Sequence, residues 1–514
     1  MSRVVFGLVV AVALALALAF RLAGPDLRPM HHDEANQAVK FGALLETGEY
    51  RYDRNDHHGP TLYYFTLPSA WIRGQTTLAS LDERTLRVVP ALFGAGLILL
   101  LPLLGEGLGR TAVATSALLT ALSPALTYYS RFYIQESLFV FFALAFLIAL
   151  GRSAERPRAW WALGAGAFAG LAYSTKETSL IVLLAAPAAL ALARIWTRSP
   201  RETLTLAGRA VRFLLGLAAA LLVAFVLYSS FFRHPSGLLE SVRAFATYVE
   251  RGVDPGSHRE PWYYYLGLLS YSASGGLAWT EGLVLALAAV GTVAVISKAS
   301  MGFWPRYICL YSLITAFAFS AVRYKTPWNL LPFYAGFVLL AGSGAGALID
   351  RVRPRVVRGL LFVALFAGAC HLAVENWRAN FTYAADPRNP YVYAQTSPDF
   401  LRLVQRVTSV AALHPDRSGR LVKVIAGPYE QWPLPWYLRR MTRVGYWIHA
   451  AGAGRLDEAP VLVASQENAG DVNAALGDRY VPEFYGLRPG VLLTLYVERG
   501  LWERFLVSRG QSIR

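Results

Sequence analysis

The chain is short of charge. Of its 514 residues only 16% are Asp, Glu, Lys or Arg, while 55% are hydrophobic and the mean hydropathy is +0.37. Soluble domains carry about a quarter charged residues, so a soluble protein of this size is excluded. Cysteine is nearly missing. Cys309 and Cys370 are the only two and both fall in apolar runs, which excludes a disulfide framework and leaves the redox compartment open. Acidic residues are outnumbered 33 to 49, giving a net charge of +16. No glycine-rich phosphate cradle occurs: the small-residue run Gly342 to Gly346 sits in an apolar stretch, where such residues let helices pack closely, and this argues against a nucleotide-sugar donor.

What remains is mostly long apolar runs. A membrane-crossing helix needs roughly 20 apolar residues, and runs near 4–20, 87–104, 111–129, 137–150, 159–174, 178–193, 213–232, 281–297, 307–322, 329–349 and 357–374 qualify. The fold class expected is a mainly α, polytopic helix bundle of about eleven spans. The first run is read as an uncleaved anchor, because many spans follow it and no small-x-small cleavage site precedes the next polar cluster.

Short loops rich in Lys and Arg lie on the cytoplasmic side. With the N-terminus inside, the inner loops hold Arg152, Arg156 and Arg158; Arg194, Arg198, Arg201, Arg209 and Arg212; Lys298 and Arg306; and Arg351, Arg353, Arg355 and Arg358. The basic excess is therefore a topology signal, and nucleic acid is not an expected partner. The uncharged stretch Pro261 to Thr280 would invert this order if it crossed. It is rich in Tyr and Trp, and is read as an interfacial or re-entrant outer element.

On this topology the unusual polar residues collect at one face. The outer loop 21–85 carries "MHHDEANQAVKFG", with His31, His32, Asp33 and Glu34, and then "DRNDHHGPTLYYF", with His57, His58 and the turn pair Gly59-Pro60. Arg131 and Glu136, Lys176 and Glu177, His258 with Arg259 and Glu260, and Arg323 with Lys325 fall at outer span ends, with Trp262 just beyond. A charge at membrane depth costs about 2.5–3.5 kcal/mol, so several of mixed sign at one face suggest a polar site. Each has a plainer alternative: span-end charges can cap helices or snorkel, and Asp33 or Glu34 can simply start a helix. His31, His32 and His57 with Asp33 invite a metal, and a divalent cation is the one cofactor the loop admits. Adjacent histidines lack the i, i+4 ligand spacing, so hydrogen-bonding or phosphate-contacting imidazoles are preferred.

These segments, together with "YYSRFYIQESLFVFF", "HREPWYYYL", "YKTPWNLLPF" and "EQWPLPWYLR", resemble the GT-C superfamily of glycosyltransferases, which use lipid-phosphate-linked sugars. Within it they are similar to the flippase-activity-associated family, and more distantly to protein O-mannosyltransferases and the lipid A aminoarabinose transferase. The resemblance covers roughly residues 1–350 and Trp432 to Arg439. It departs at the second histidine, His32, and at His58-Gly59-Pro60, where the aminoarabinose transferases have a Lys-Pro-Pro type run.

The resemblance implies that Asp33 is the catalytic base, with Glu34 positioning the acceptor or a partner cation and Glu136 a second carboxylate. Arg131, His58, His258, Arg323 and Lys325 would attend the donor phosphate, and Lys176, Glu177 and Trp262 the substrate. The chemistry stands independently: transfer from a polyprenyl phosphate needs a base for the acceptor hydroxyl and cations for the departing phosphate. One displacement with inversion suffices.

Residues 377–514 change character and are expected to form an extracytoplasmic α/β domain, apart from a membrane domain over 1–376. Ser397-Pro398 opens a helix, and "LVKVIAG", "APVLVAS" and "VLLTLYV" read as strands. The aromatics of "YEQWPLPWYLRR" are read first as packing anchors and second as sugar contacts. The function expected is a multi-pass enzyme of the plasma (inner) membrane. It moves a hexosyl or pentosyl group from a polyprenyl-phosphate donor to a glycan, lipid or protein acceptor on the outer face. The rival readings are a transporter, disfavoured by the lack of a repeat, and a non-catalytic partner of a glycan-export system.

Overall fold

The computed structural model of the protein describes residues 1–55, 58–156, 158–197, 206–253, 258–298, 301–415 and 421–510, with the main chain alone at 206 and 247–253. His57, Arg198 and Arg201 lie outside the described residues.

Helices occupy every apolar run read from the sequence. Seven are long and apolar enough to cross a membrane among the described residues: α1 (Arg3–Leu22), Glu83–Leu108, Glu136–Glu155, Ser179–Thr197, Ala207–Tyr228, Pro327–Arg351 and Arg355–Thr382. The other runs give shorter or more polar helices. The run at 111–129 breaks at Ser123-Pro124 into Arg110–Leu122 and Pro124–Ser130, as expected where proline disfavours helix in the residue before it. Ala159–Tyr173, Gly282–Ser297 and Phe303–Ala321 complete the set.

Burial sorts these helices into a centre and a periphery. Glu136–Glu155 and Pro327–Arg351 are mostly enclosed by other helices, whereas α1, Ala207–Tyr228 and Arg355–Thr382 leave most of their apolar surface bare, the side a bilayer covers. Close packing at the centre uses glycine. A Cβ on Gly291 would lie 2.1 Å from Leu340 O, and one on Gly344 2.0 Å from Leu287 O, so only hydrogen at these positions lets the two backbones touch.

Three further elements carry the polar face: α2 (His32–Thr47), α3 (Thr61–Ile72) and α4 (Glu83–Leu100). The stretch 261–280 does not form a spanning helix. It makes a short helix, Tyr264–Ser270, and a hairpin of β1 (Ser272–Ser274) and β2 (Leu277–Trp279). The hairpin turns at Gly275 and Gly276, with φ of +54° and +79°, which glycine adopts without strain.

The C-terminal region folds as a five-stranded mixed sheet with helices against it. The strands are β3 (Val422–Ile425), β4 (Val444–Trp447), β5 (Val461–Ser465), β6 (Tyr480–Arg488) and β7 (Val491–Glu498), in the order β4-β3-β5-β7-β6. β3 runs parallel to β4 and β5, while β7 is antiparallel to β5 and β6. Two apolar clusters form around it. One gathers Phe400, Leu403 and Val407 of the helix Pro398–Ala412 with Val424 and Leu495, and the other Val472 and Leu476 of the helix Gln466–Leu476 with Leu462. The three strands expected from sequence are present, and β4 and β6 join them without a comparable apolar signal.

This region is docked on the polar face. The Trp436 side chain is fully buried and its Nε1–H donates to Glu83 Oε1 at 2.9 Å. Arg439 and Arg440 donate to Leu81 O and Ala79 O, and Tyr437 Oη accepts from Met30 N. For Trp436, packing is the role its burial supports.

Candidate active site

The site is built around the start of α2. His31 caps the helix: its Nδ1 accepts from Asp33 N at 3.1 Å, and its own N–H donates to Glu34 Oε2 at 3.0 Å, a reciprocal capping box. Since Nδ1 accepts, Nε2 carries the proton and donates to Tyr393 O at 3.0 Å. Both ring nitrogens of His31 are thus committed to the main chain. His32 Nδ1 is bonded to Tyr429 O at 3.3 Å. Among the described residues no group of three or more His, Cys, Asp or Glu side chains is placed to hold a metal ion.

Asp33 and Glu34 face different surroundings. The Asp33 side chain is 42% exposed and lies 3.7 Å from His31 Nδ1. Burial of its surroundings works to raise the carboxyl, but His31, His32, His58 and Lys176 outweigh it, holding the pKa below the ordinary Asp value. Glu34 is fully buried. It accepts from Arg87 Nε at 2.8 Å and Nη2 at 2.7 Å, and from Tyr133 N at 2.8 Å. Burial pushes Glu34 up and the Arg87 and Arg28 guanidinium groups pull it further down, to about 2.

Near Asp33 stand Lys176 and His58, each paired with a carboxylate. Lys176 donates to Glu136, the first residue of its helix, and to Asn329 Oδ1 at 2.8 Å. Glu136 Oε2 and Gln135 Nε2 are buried without a hydrogen-bond partner among the described residues. His58 Nδ1–H donates to Glu177 Oε2 at 2.7 Å. That contact rests on Gly59, whose N–H donates to Thr175 O at 3.2 Å and where a Cβ would lie 2.1 Å from Ser174 O. The loop can press onto the 174–177 turn only through glycine.

A third group approaches along the chain from 258. His258 O accepts from Lys325 N at 3.0 Å, and Arg259 bridges to Tyr324 as an isolated antiparallel pair. The His258 ring meets Tyr393 Oη through Nδ1, is held below its usual pKa by burial, and feels Asp33. Lys325 Nζ is turned to Glu260 O at 3.2 Å and Val322 O at 2.5 Å. Arg323 and Trp262 are exposed beside this segment.

Arg131 is placed elsewhere. Its guanidinium donates to Phe20 O at 2.6 Å and Gly24 O at 2.9 Å, closing carbonyls that the end of α1 leaves open. Arg87 and Arg28 do related work. Arg87 donates to Pro25 O and Arg28 O, and Arg28 lies 3.4 Å over the Phe132 ring while donating to Arg131 O. The structure therefore brings together Asp33, His31, His32, His58, Lys176, Glu136, Glu177 and His258, and sets Glu34 and Arg131 behind them as parts of the frame. Sequence reasoning missed Arg87, Asn329 and Tyr393. Arg87 had a signal, a charge four residues into an amphipathic start that leads into an apolar run, and Asn329 lies within the segment "YKTPWNLLPF"; Tyr393 had none.

Residues 66–228 match the family model described as dolichyl-phosphate-mannose-protein mannosyltransferase. No curated protein matches the chain. Among solved structures, ArnT from Cupriavidus metallidurans bound to undecaprenyl phosphate is similar with a TM-score of 0.63 and 15% identity, over 98% of this chain and 99% of that one. The oligosaccharyltransferase from Archaeoglobus fulgidus, in its apo form, is similar with a TM-score of 0.58 and 13% identity, over 98% of this chain and 77% of that one. This chain is thus a multi-pass membrane protein with the GT-C glycosyltransferase fold.

Proposed function

We propose that the protein transfers a sugar from a polyprenyl-phosphate donor to an acceptor hydroxyl on the outer face of the membrane, with Asp33 as base. The observation that carries this is the placement of Asp33: a partly exposed carboxylate at the head of α2, held below the ordinary Asp pKa, with His31, His32, His58 and Lys176 around it. In the reaction the acceptor oxygen attacks the anomeric carbon, its proton passes to the Asp33 carboxylate, and the bond from that carbon to the phosphate oxygen breaks. Polyprenyl phosphate leaves with the electron pair. A single displacement inverts the anomeric configuration.

Lys176 is the cation assigned to the leaving phosphate, with the His58 and His258 rings as hydrogen-bonding groups beside it and Lys325 and Arg323 at its approach. A cation already near the developing charge stabilises it without reorganisation. Glu136 and Glu177 orient Lys176 and His58, and the open Oε2 of Glu136 would accept from a hydroxyl of the bound sugar. Trp262, exposed beside the 258–260 segment, is assigned to the lipid side. Glu34 and Arg131 are assigned to positioning. Neither offers a free charge to substrate, since each is engaged by buried partners.

Undecaprenyl phosphate, bound in the similar ArnT structure, supports the donor class, and the family match over 66–228 supports sugar transfer. The test is release of polyprenyl phosphate from a panel of polyprenyl-phosphate sugars by the purified protein. Asp33→Asn is expected to lower turnover roughly 10²- to 10⁴-fold, the usual worth of a positioned base. Equal turnover in the variant would remove Asp33 from the role, and no release from any donor by the wild type would sink the transferase reading.

A further inference from the structure

We infer that the acceptor is itself a glycan, and that one of its sugar rings docks on a rim formed by Tyr429, Glu430 and Arg488 of the C-terminal region beside His32. This deepens the transferase reading and rests on it.

Many exposed aromatics among the described residues sit on or just beyond helices apolar enough to cross a membrane, as Phe213, Phe231, Phe362 and Phe366 do. Tyr429 does not. It lies between β3 and the short helix Leu434–Tyr437, and it is 72% exposed. Its main chain is nevertheless fixed from two directions. Tyr429 O accepts from His32 at 3.3 Å and from Arg488 Nη1 at 3.3 Å. One donor belongs to the helix that carries Asp33 and the other to the last residue of β6. The Tyr429 ring also stacks on the His32 imidazole, centroids 6.0 Å apart and 29° between planes, with Trp432 backing the same imidazole at 6.0 Å.

A packing role would bury that ring; here the backbone is clamped and the ring is presented. A rigid aromatic face costs little entropy on binding and suits the apolar face of a pyranose. Polar groups are at hand for its hydroxyls. Glu430 lies within electrostatic reach of Arg488, and both are partly exposed. A cation and a carboxylate beside one aromatic face can donate to and accept from hydroxyls of either orientation. An acyl chain would leave both charges unpaired. An extended peptide would seek main-chain partners, and the Tyr429 carbonyl is already taken twice.

The position fits the chemistry. His32 is adjacent in sequence to Asp33 and lies within electrostatic reach of both Asp33 and Arg488. A ring on the rim would therefore present a hydroxyl toward the base, with Lys176 and His58 on the other side.

The experiment uses the full chain in nanodiscs, with the donor that supports release. Acceptors are a set of neutral di- and trisaccharides, a Ser/Thr-containing peptide, and a phospholipid with a free hydroxyl. Release with donor alone reports transfer to water, and so tests the underlying transferase reading separately. The inference expects the saccharides to accelerate release and Tyr429→Ala to lower the ratio of saccharide-dependent to water-dependent release roughly tenfold through a raised acceptor KM. Tyr429→Trp should restore the ratio. Saturation-transfer NMR should show saccharide contact in the wild type and its loss in Tyr429→Ala. Preference for the peptide or the lipid, or an unchanged saccharide KM in Tyr429→Ala, would overturn the inference. Absence of release with donor alone and with every acceptor would instead count against the transferase reading.

Discussion

Asp33 and Glu34 are neighbours in sequence with opposite fates, because consecutive residues at a helix start point about 100° apart. Asp33 turns outward among histidines; Glu34 turns inward to Arg87 and the Tyr133 N–H. A buried ion pair broken from one side leaves an uncompensated charge, so Glu34→Ala is expected to cost about 3–5 kcal/mol, read as a large fall in the melting temperature of the solubilised protein. Its pH dependence follows in sign. Folding lowers the Glu34 pKa from 4.5 to about 2, so its contribution is present above pH 4.5 and is lost as pH falls toward 2. Thermal melts should therefore decline over that acid window, and less steeply in Glu34→Gln. The acidic pair was legible in the sequence, and the resemblance implied Asp33 as the base, but that Glu34 is the buried member was not legible. Its burial depends on Arg87, which lies 53 residues away.

Among the elements, helices were the most legible and their partners the least. A continuous apolar run predicts a helix whatever it packs against, so all the helical runs were readable. The short strands β4 and β6 were not, because β4 is only half-buried along its length and β6 contains Pro482, which argues against a regular strand. Arg131 illustrates the same limit: expected at the donor phosphate, it donates to carbonyls at the end of α1, a partner the sequence did not reveal, and we assign it to positioning. Arg131→Met should then lower stability and leave donor KM nearly unchanged in whatever enzyme remains folded; a tenfold rise in donor KM with unaltered melting would reinstate the phosphate role. The loop before α3 offers a sharper trial. Gly59 sits where a Cβ would lie 2.1 Å from Ser174 O, so Gly59→Ala must lift the loop and lengthen the bond from His58 to Glu177. Turnover should fall while the melting temperature changes by only a few degrees. Unaltered turnover would remove the His58–Glu177 pair from the reaction.

For the whole molecule, the question is which side of the membrane the site faces. Two arrangements in the structure bear on it. The C-terminal sheet is fastened to the polar face through Trp436 to Glu83, Arg439 to Leu81 and Tyr437 to Met30, so the two must share a compartment. At the other end of the central helix, Arg152 and Arg156 meet Glu106, and Arg194 and Arg212 donate to carbonyls of the 153–154 stretch. By the positive-inside rule we propose that this end is the cytoplasmic one and that Asp33 lies toward the other, where Glu136 begins the helix that Glu155 ends. With Cys309 and Cys370 replaced, single cysteines introduced at exposed Ser80, in the outer loop, and Arg455, in the C-terminal region, should react with a membrane-impermeant maleimide in intact cells. A cysteine at Arg353 should react only after permeabilisation. Labelling of Arg353→Cys alone in intact cells would invert the topology and move the transfer reaction to the cytoplasmic face. Labelling of Ser80→Cys without Arg455→Cys would contradict the docked arrangement itself, because no bilayer can pass between residues joined by those hydrogen bonds.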